Sequence, residues 1–175
     1  ERINEKVASV WGTINDSPAE KAAEIERWKG LLNNESLAKA DLASGRALYD
    51  KTCSQCHKLF GAGKAIGPEL TGAQRSSLDY LLGNILDPSS VVGKEYRMSI
   101  VLLEDGRTIS GLITSRDDKK LSIRTATDEV TVEAESVETI KESNVSAMPD
   151  GLLQNLSEAQ VRDLIAYLMS PVQID

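Results

Sequence analysis

The spacing of apolar residues along the chain changes twice. Helical spacing dominates residues 1–93 and returns after residue 141, whereas between residues 94 and 141 the period falls to two. A period of two is typical of strands that bury one face. The pattern therefore predicts a helical protein that is interrupted by one antiparallel β segment, residues 94–141.

Four helices follow from the stretches with helical spacing. The first lies within residues 1–40, the second leads into Cys53, the third stops at Asp87-Pro88, and the last begins at Ser157. The apolar stripes of the first, second and last helix are Ala22, Ile25, Trp28 and Leu32, then Leu42, Gly45, Leu48 and Tyr49, and finally Val161, Leu164, Ile165 and Leu168. Residues 1–40 are either the end of a preceding helical domain or an N-terminal extension of the next one.

The β segment has the pattern of four short antiparallel strands. Asp105-Gly106 is a hairpin signal, and a second turn follows at residues 117–120. In the first strand, the apolar alternation favours one buried face, formed by Tyr96, Met98, Ile100 and Leu102. Four strands of this kind indicate a meander or a small SH3-like barrel.

Length and charge limit the possible partners. A chain of 175 residues is long enough for one core, or for a core with a small satellite. No apolar run approaches the ~20 residues of a membrane span, so we expect no membrane insertion. The net charge of −7 argues against nucleic acid and against an anionic membrane surface as partners.

The residues that carry chemistry are Cys53-Ser54-Gln55-Cys56-His57. They contain both cysteines and the single histidine of the chain. The spacing places two thiols on one side of a helical turn, with an imidazole directly after them. This is the signature for covalent attachment of a c-type haem, in which the two thiols form thioethers and His57 is an axial ligand of the iron. We therefore predict one covalent haem c.

Other interpretations of the same residues require groups that the chain lacks. A thioredoxin-type redox pair needs a surrounding βαβ pattern, and a zinc site needs a second pair of cysteines or histidines. A chance match is the third alternative. Haem is favoured over all three.

The second axial ligand cannot be a histidine, so methionine is the soft ligand that remains. Met98 fits the alternation of a strand, and Met169 lies at the end of the last helix, so both are predicted to pack. Met148 lies in the irregular segment Ser146-Ala147-Met148-Pro149 and is the predicted ligand. The alternative is a loop methionine that covers an apolar patch.

At these residues the chain resembles the class I cytochromes c. In that family a helix leads into the haem motif, a Gly-Pro-x-Leu segment follows, and a methionine loop precedes the last helix; here the second feature is Gly67-Pro68-Glu69-Leu70. The resemblance implies that the Pro68 carbonyl accepts a hydrogen bond from the His57 ring, and that Leu70 lines the haem pocket. It also implies that the first and last helices of the domain cross at Gly45 and Tyr167.

The fold implied is a mainly α cytochrome c fold with a small inserted antiparallel β unit, α+β overall. The haem domain would span residues 41–175, and residues 94–141 would interrupt it. That interruption is similar to the haem-binding domain found at the C-terminal end of large exported proteins of planctomycetes and verrucomicrobia, where it follows helical-repeat and dehydrogenase-like domains. This second resemblance covers residues 41–172, and it implies a fused or docked dehydrogenase as redox partner.

The function expected is electron transfer, with no catalysis by the chain itself. Haem attachment implies export, so a periplasmic or equivalent location is expected, and a chain that starts at Glu1 is interpreted as a processed form or an excised domain. The alternative is a haem enzyme or a gas or redox sensor with an open or displaceable sixth position.

Two further roles stay open at this level. Arg75 either pairs with a haem propionate or is an exposed arginine in a helix cap. The β segment either covers the haem or offers a surface for docking or for a homodimer.

Overall fold

The computed structural model describes residues 13–14, 18–125 and 127–174, and of residues 13 and 14 only the backbone. Contacts between residues divide the chain into two compact units. We call them the sheet unit, Glu1–Asn15 with Pro88–Pro149, and the helical unit, Asp16–Asp87 with Asp150–Asp175. Across the described residues, no helix combines the length and apolar character needed to cross a membrane.

The helical unit contains five described helices and one short hairpin. The helices are α1 Ala19–Leu31, α2 Asn34–Leu37, α3 Leu42–Thr52, α4 Leu78–Leu86 and α5 Glu158–Met169. The hairpin follows α3 and pairs β2 Lys58–Leu59 with β3 Ala62–Gly63.

Side-chain caps explain where three of these helices begin. The Asp41 carboxylate accepts hydrogen bonds from two backbone N–H groups in the first turn of α3, and Ser77 accepts one at the start of α4. Ser157 and Gln160 form a reciprocal capping box at the start of α5. These caps satisfy N–H groups that would otherwise lack a partner at each helix end.

Helices α3 and α5 cross at Gly45, as the resemblance predicted. A Cβ atom at Gly45 would lie 2.1 Å from the Asp163 carbonyl oxygen and 2.8 Å from Tyr167 Cβ, so only glycine allows this approach. Beside the crossing, the rings of Tyr49 and Tyr167 pack with their centroids 5.7 Å apart. Both tyrosines are 1% exposed, which places the crossing in the core of the helical unit.

The sheet unit contains a five-stranded antiparallel sheet with the order β8-β7-β6-β5-β9. The strands are β5 Arg97–Leu103, β6 Thr108–Arg116, β7 Lys120–Arg124, β8 Glu129–Glu133 and β9 Val137–Ser146. A core of four fully buried side chains lies on one face: Val101, Leu103, Leu121 and Ile123. Outside this sheet, β1 Thr13–Ile14 pairs with β4 Val91–Val92.

The expectation of a mainly α cytochrome c fold is wrong. Of the residues that the structure describes, 35% are helical and 27% are in strands, and the large sheet has five strands where four were predicted. The missed strand is β9, which continues to Ser146 where helical spacing was expected. Two irregularities interrupt its register with β5, and such bulges break the alternation by which strands are recognised in a sequence.

The predicted buried face of β5 is also wrong. The side chains that are buried belong to Arg97, Ser99, Val101 and Leu103, whereas Ile100 on the opposite face is 42% exposed. Because the side-chain period of a strand is two, an error of one residue exchanges the two faces completely.

Candidate haem site

The haem motif forms the turn that directly follows α3. The backbone N–H of Cys53 donates to the Tyr49 carbonyl at 2.8 Å and completes the last turn of the helix. The Cys53 carbonyl then accepts from the N–H of Cys56 at 3.0 Å and from the N–H of His57 at 2.9 Å. One turn of backbone therefore brings both thiols and the imidazole together.

The hydrogen bond of the His57 ring determines which nitrogen is available to a metal. Nδ1 of His57 lies 2.8 Å from the Pro68 carbonyl oxygen, and because a carbonyl can only accept, Nδ1 must carry the proton. In the neutral ring the lone pair is then on Nε2, and no described residue makes a hydrogen bond to Nε2. The hydrogen bond between Nδ1 of His57 and the Pro68 carbonyl was predicted from the resemblance, and the structure contains it.

Gly67 allows the main chain to lie against the face of the imidazole. A Cβ atom at this position would be 2.7 Å from Cε1 of His57 and 3.0 Å from Nδ1. Any larger residue would have to push the ring or the loop aside. The Gly67-Pro68 pair thus combines a close approach with the carbonyl that fixes the ring.

The loop after the motif is held by backbone hydrogen bonds to the motif itself. The N–H groups of Ile66 and Gly67 donate to the Cys56 carbonyl at 3.0 and 2.8 Å, and Lys64 N–H donates to the Ser54 carbonyl at 2.9 Å. These bonds satisfy the Ser54 and Cys56 carbonyl groups of the turn, and they add to the bond between the His57 ring and Pro68 in holding the loop against it.

The carbonyl of His57 is held by the core of the helical unit. It accepts a hydrogen bond of 2.8 Å from the hydroxyl of Tyr49, whose ring packs on Tyr167. Gly63 approaches the same carbonyl so closely that a Cβ atom there would lie 2.2 Å from the oxygen. Sequence reasoning assigned Tyr49 to packing alone, since a helical stripe does not show where a hydroxyl points.

The tip of the β2–β3 hairpin contains an unusual backbone conformation. Phe60 has a φ of 50°, in the left-handed region that non-glycine residues rarely adopt, and Gly61 follows with a φ of 83°. Two contacts hold Phe60: its N–H donates to Thr71 Oγ1 at 2.8 Å, and the Arg75 guanidinium lies 4.9 Å from its ring centroid.

Arg75 connects the segment after Pro68 to the end of α5. Its Nε donates to the Leu70 carbonyl at 2.8 Å and its Nη1 to the Ser170 carbonyl at 2.8 Å, with further bonds to the carbonyls of Thr71 and Leu168. At 7% exposure it is not the exposed arginine that one expectation described, and burial lowers its pKa. Pairing with a propionate stays a prediction, and most of its N–H groups already bind carbonyls.

The two thiols are free and half-buried. Burial raises the pKa of the Cys53 thiol to about 12, with a smaller contribution from the neighbouring Cys56. The described residues contain no group of three histidine, cysteine or acidic side chains that could hold a metal ion. The donors present are two thiols and one imidazole nitrogen, which fits a covalently attached haem and does not fit a four-ligand metal site.

The remaining predicted site residues lie in different parts of the chain. Leu70 is half-buried in the helical unit, and its N–H donates to the Lys58 carbonyl at 2.8 Å. Met148 belongs to the sheet unit, where it is half-buried and its N–H donates to Ser146 Oγ at 3.1 Å. Its role as a ligand therefore stays a prediction.

Comparison with known families supports a cytochrome in the first part of the chain. Residues 40–90 match the family described as cytochrome c oxidase, cbb3-type, subunit III. The matched part contains the haem motif, Gly67-Pro68 and Arg75, and it supports a cytochrome c-type domain. Such a domain implies covalently bound haem, suggests haem-based electron transfer, and is usually exported or periplasmic. None of the curated proteins matches the chain in sequence.

Proposed function

We propose that this chain is an electron-transfer domain that carries a single haem, attached through Cys53 and Cys56, with His57 and Met148 as axial ligands. The observation that carries the proposal is the position of the His57 ring, which directly follows the two thiols and whose Nδ1 donates to the Pro68 carbonyl oxygen at a distance of 2.8 Å. The lone pair of Nε2 is therefore available for iron.

The residues around His57 support a role in electron transfer. A bound haem supplies an iron that alternates between the ferric and ferrous states. The Pro68 carbonyl holds the ring orientation and increases the basicity of Nε2, as partners of metal-bound histidines generally do. Tyr49 and Gly67 restrict the backbone and the ring from two other sides. A ligand held in this way changes its position little when the iron gains or loses an electron.

Met148 is proposed as the second ligand because the other two methionines belong to regular elements. Met98 is part of β5 and Met169 is the last residue of α5. Met148 follows the end of β9, in a segment whose backbone is tied to Ser146 Oγ and, through Ala147 N–H, to the Tyr96 carbonyl at 2.8 Å. An anchored irregular segment can present a thioether with little loss of conformational entropy.

The biological setting proposed is a module of a larger periplasmic or exported redox protein, related to the planctomycete and verrucomicrobial haem domains. The chain itself would catalyse no reaction and would receive electrons from a fused or docked dehydrogenase. With a net charge of −7, a docked partner is expected to present a basic surface. The sheet unit is the proposed surface for such a partner or for a second copy.

Two measurements test this proposal. Haem should stay with the protein on denaturation in acid–acetone, because thioether bonds survive where coordination is lost; haem that extracts freely would contradict covalent attachment. The ferric protein should show the weak far-red band of a sulfur–iron bond.

Met148→Ala should abolish that far-red band and lower the reduction potential, since a thioether favours ferrous iron and water does not. Met98→Leu and Met169→Leu are the matched controls and should retain the band. If one of these two variants loses the band while Met148→Ala keeps it, the ligand assignment is wrong. An unmodified protein that lacks the band and binds carbon monoxide readily would favour the enzyme or sensor alternative.

A further inference from the structure

Lys21 in α1 binds the two residues between which the chain enters and leaves the sheet unit. Its Nζ donates to Asp87 Oδ1 at 3.0 Å and to Asp150 Oδ1 at 2.6 Å. Asp87 directly precedes Pro88–Pro149 in the chain, and Asp150 directly follows it. One ammonium group therefore holds both ends of this segment together, although its partners are 66 and 129 residues away along the chain.

The two ion pairs differ in their exposure. The Asp87 side chain is 5% exposed, that of Lys21 is 25% exposed, and that of Asp150 is 58% exposed. A buried carboxylate needs a partner, so the pair with Asp87 anchors Lys21. The hydrogen bond to Asp150, and then that to Asp87, raises the pKa of Lys21, which therefore stays charged while it holds the more exposed Asp150.

Asp150 is two residues after Met148, and the residue between them is a proline. Because a proline ring fixes φ, the positions of Met148 and Asp150 are closely coupled through the chain. On the other side of Met148, its N–H is held by Ser146 Oγ at 3.1 Å. Restraint of Asp150 therefore restrains the segment that carries the thioether.

We propose that Lys21 is a positioning residue for the sixth iron ligand, and that it acts by holding Asp150 beside Asp87. This inference rests on the proposed His57/Met148 ligation. The expected effect is on the equilibrium between bound and dissociated Met148. A restrained segment keeps a high local concentration of the thioether at the iron, and a released segment lowers that concentration.

Imidazole is a suitable probe, because it binds ferric iron only after Met148 has left. Its apparent affinity therefore increases with the fraction of protein in which the methionine is dissociated. Asp150→Asn removes the negative charge of Asp150 and keeps the ion pair between Lys21 and Asp87. We expect this variant to bind imidazole about threefold more tightly, as the loss of a partly exposed ion pair indicates.

Lys21→Met removes both ion pairs and should increase the affinity for imidazole on the order of tenfold, whereas Lys21→Arg should largely restore the value of the unmodified protein. Lys29→Met is the matched control. Lys29 lies on the same helix and binds Glu26 and Asp79, neither of which borders Pro88–Pro149. The affinity of Lys29→Met for imidazole should therefore differ from that of the unmodified protein by less than about twofold.

The experiment separates failure of this inference from failure of the proposed function. Absence of the far-red band from the unmodified ferric protein overturns the His57/Met148 ligation, and the role of Lys21 falls with it. Presence of the band, together with imidazole affinities of Asp150→Asn and Lys21→Met equal to that of Lys29→Met, overturns the role of Lys21 alone. If Lys21→Met does not fold, the comparison of Asp150→Asn with Lys29→Met decides.

Discussion

Gly45→Ala tests the helix crossing on which the haem motif depends. The added Cβ would lie 2.1 Å from the Asp163 carbonyl oxygen, whereas an ordinary contact of this kind is about 3.3 Å. Helix α5 would have to move by roughly 1 Å relative to α3. Because α3 ends at Thr52, directly before Cys53, the movement also reaches the first cysteine of the motif.

The expected change in the free energy of unfolding of Gly45→Ala follows from three contributions. Overpacking of a tight contact costs about 1–3 kcal/mol, and disturbance of the Tyr49–Tyr167 ring pair adds about 1 kcal/mol. The higher helix propensity of alanine offsets about 1 kcal/mol of this cost. We therefore expect Gly45→Ala to lower the free energy of unfolding by about 2 kcal/mol.

Gly83→Ala is the matched control, because Gly83 is also a helical glycine but a Cβ there would meet no atom within 4 Å. The free energy of unfolding of this variant should rise by about 0.5–1 kcal/mol, because alanine has a higher helix propensity than glycine. Urea unfolding followed by far-UV circular dichroism measures both changes. With an m-value of about 2 kcal/mol per M, the midpoint should fall by about 1 M for Gly45→Ala and rise slightly for Gly83→Ala. Equal stability of the two variants would refute the tight crossing.

Two further predictions concern Tyr49 and Cys53. Tyr49→Phe keeps the ring pair but removes the 2.8 Å hydrogen bond to the His57 carbonyl, so urea unfolding should show a loss of about 1–2 kcal/mol; an unchanged midpoint would contradict this hydrogen bond. In the haem-free protein, burial raises the pKa of Cys53 to about 12, so the neutral thiol is favoured in the folded state. Alkylation of Cys53 should therefore be much slower in the folded than in the urea-unfolded protein at every pH up to about 8.5, and above that pH the two rates should converge as the pH approaches the raised pKa; equal rates at pH 9 would contradict the raised pKa.

The haem motif was recognisable without a structure because its chemistry depends on near neighbours. Cys53, Cys56 and His57 are joined by the hydrogen bonds of a single turn, and the spacing alone places them together. The acceptor of the His57 ring, Pro68, is only 11 residues away and lies in a recognisable segment. Helix starts at Asp41, Ser77 and Ser157 are equally local, since each cap bonds to N–H groups two or three residues ahead.

The strands show where local patterns fail. The segment of β5 has apolar residues on both faces, so its own alternation cannot decide which face is buried. That choice depends on Leu121 and Ile123, which the fold brings against Val101 from another strand. Strand β9 escaped recognition because its register with β5 shifts twice, and such shifts depend on the partner strand.

What the sequence by itself determined is the turn that carries both thiols and the imidazole, because every bond in that turn joins residues within a few positions. What only the tertiary structure decided is the set of partners that come from far along the chain. Arg75 meets the Leu168 and Ser170 carbonyls 93 and 95 residues later, and Lys21 meets Asp150 after 129. A side chain with several donors can bind any suitable acceptor that packing brings near, so its own position in the sequence does not identify which one it binds.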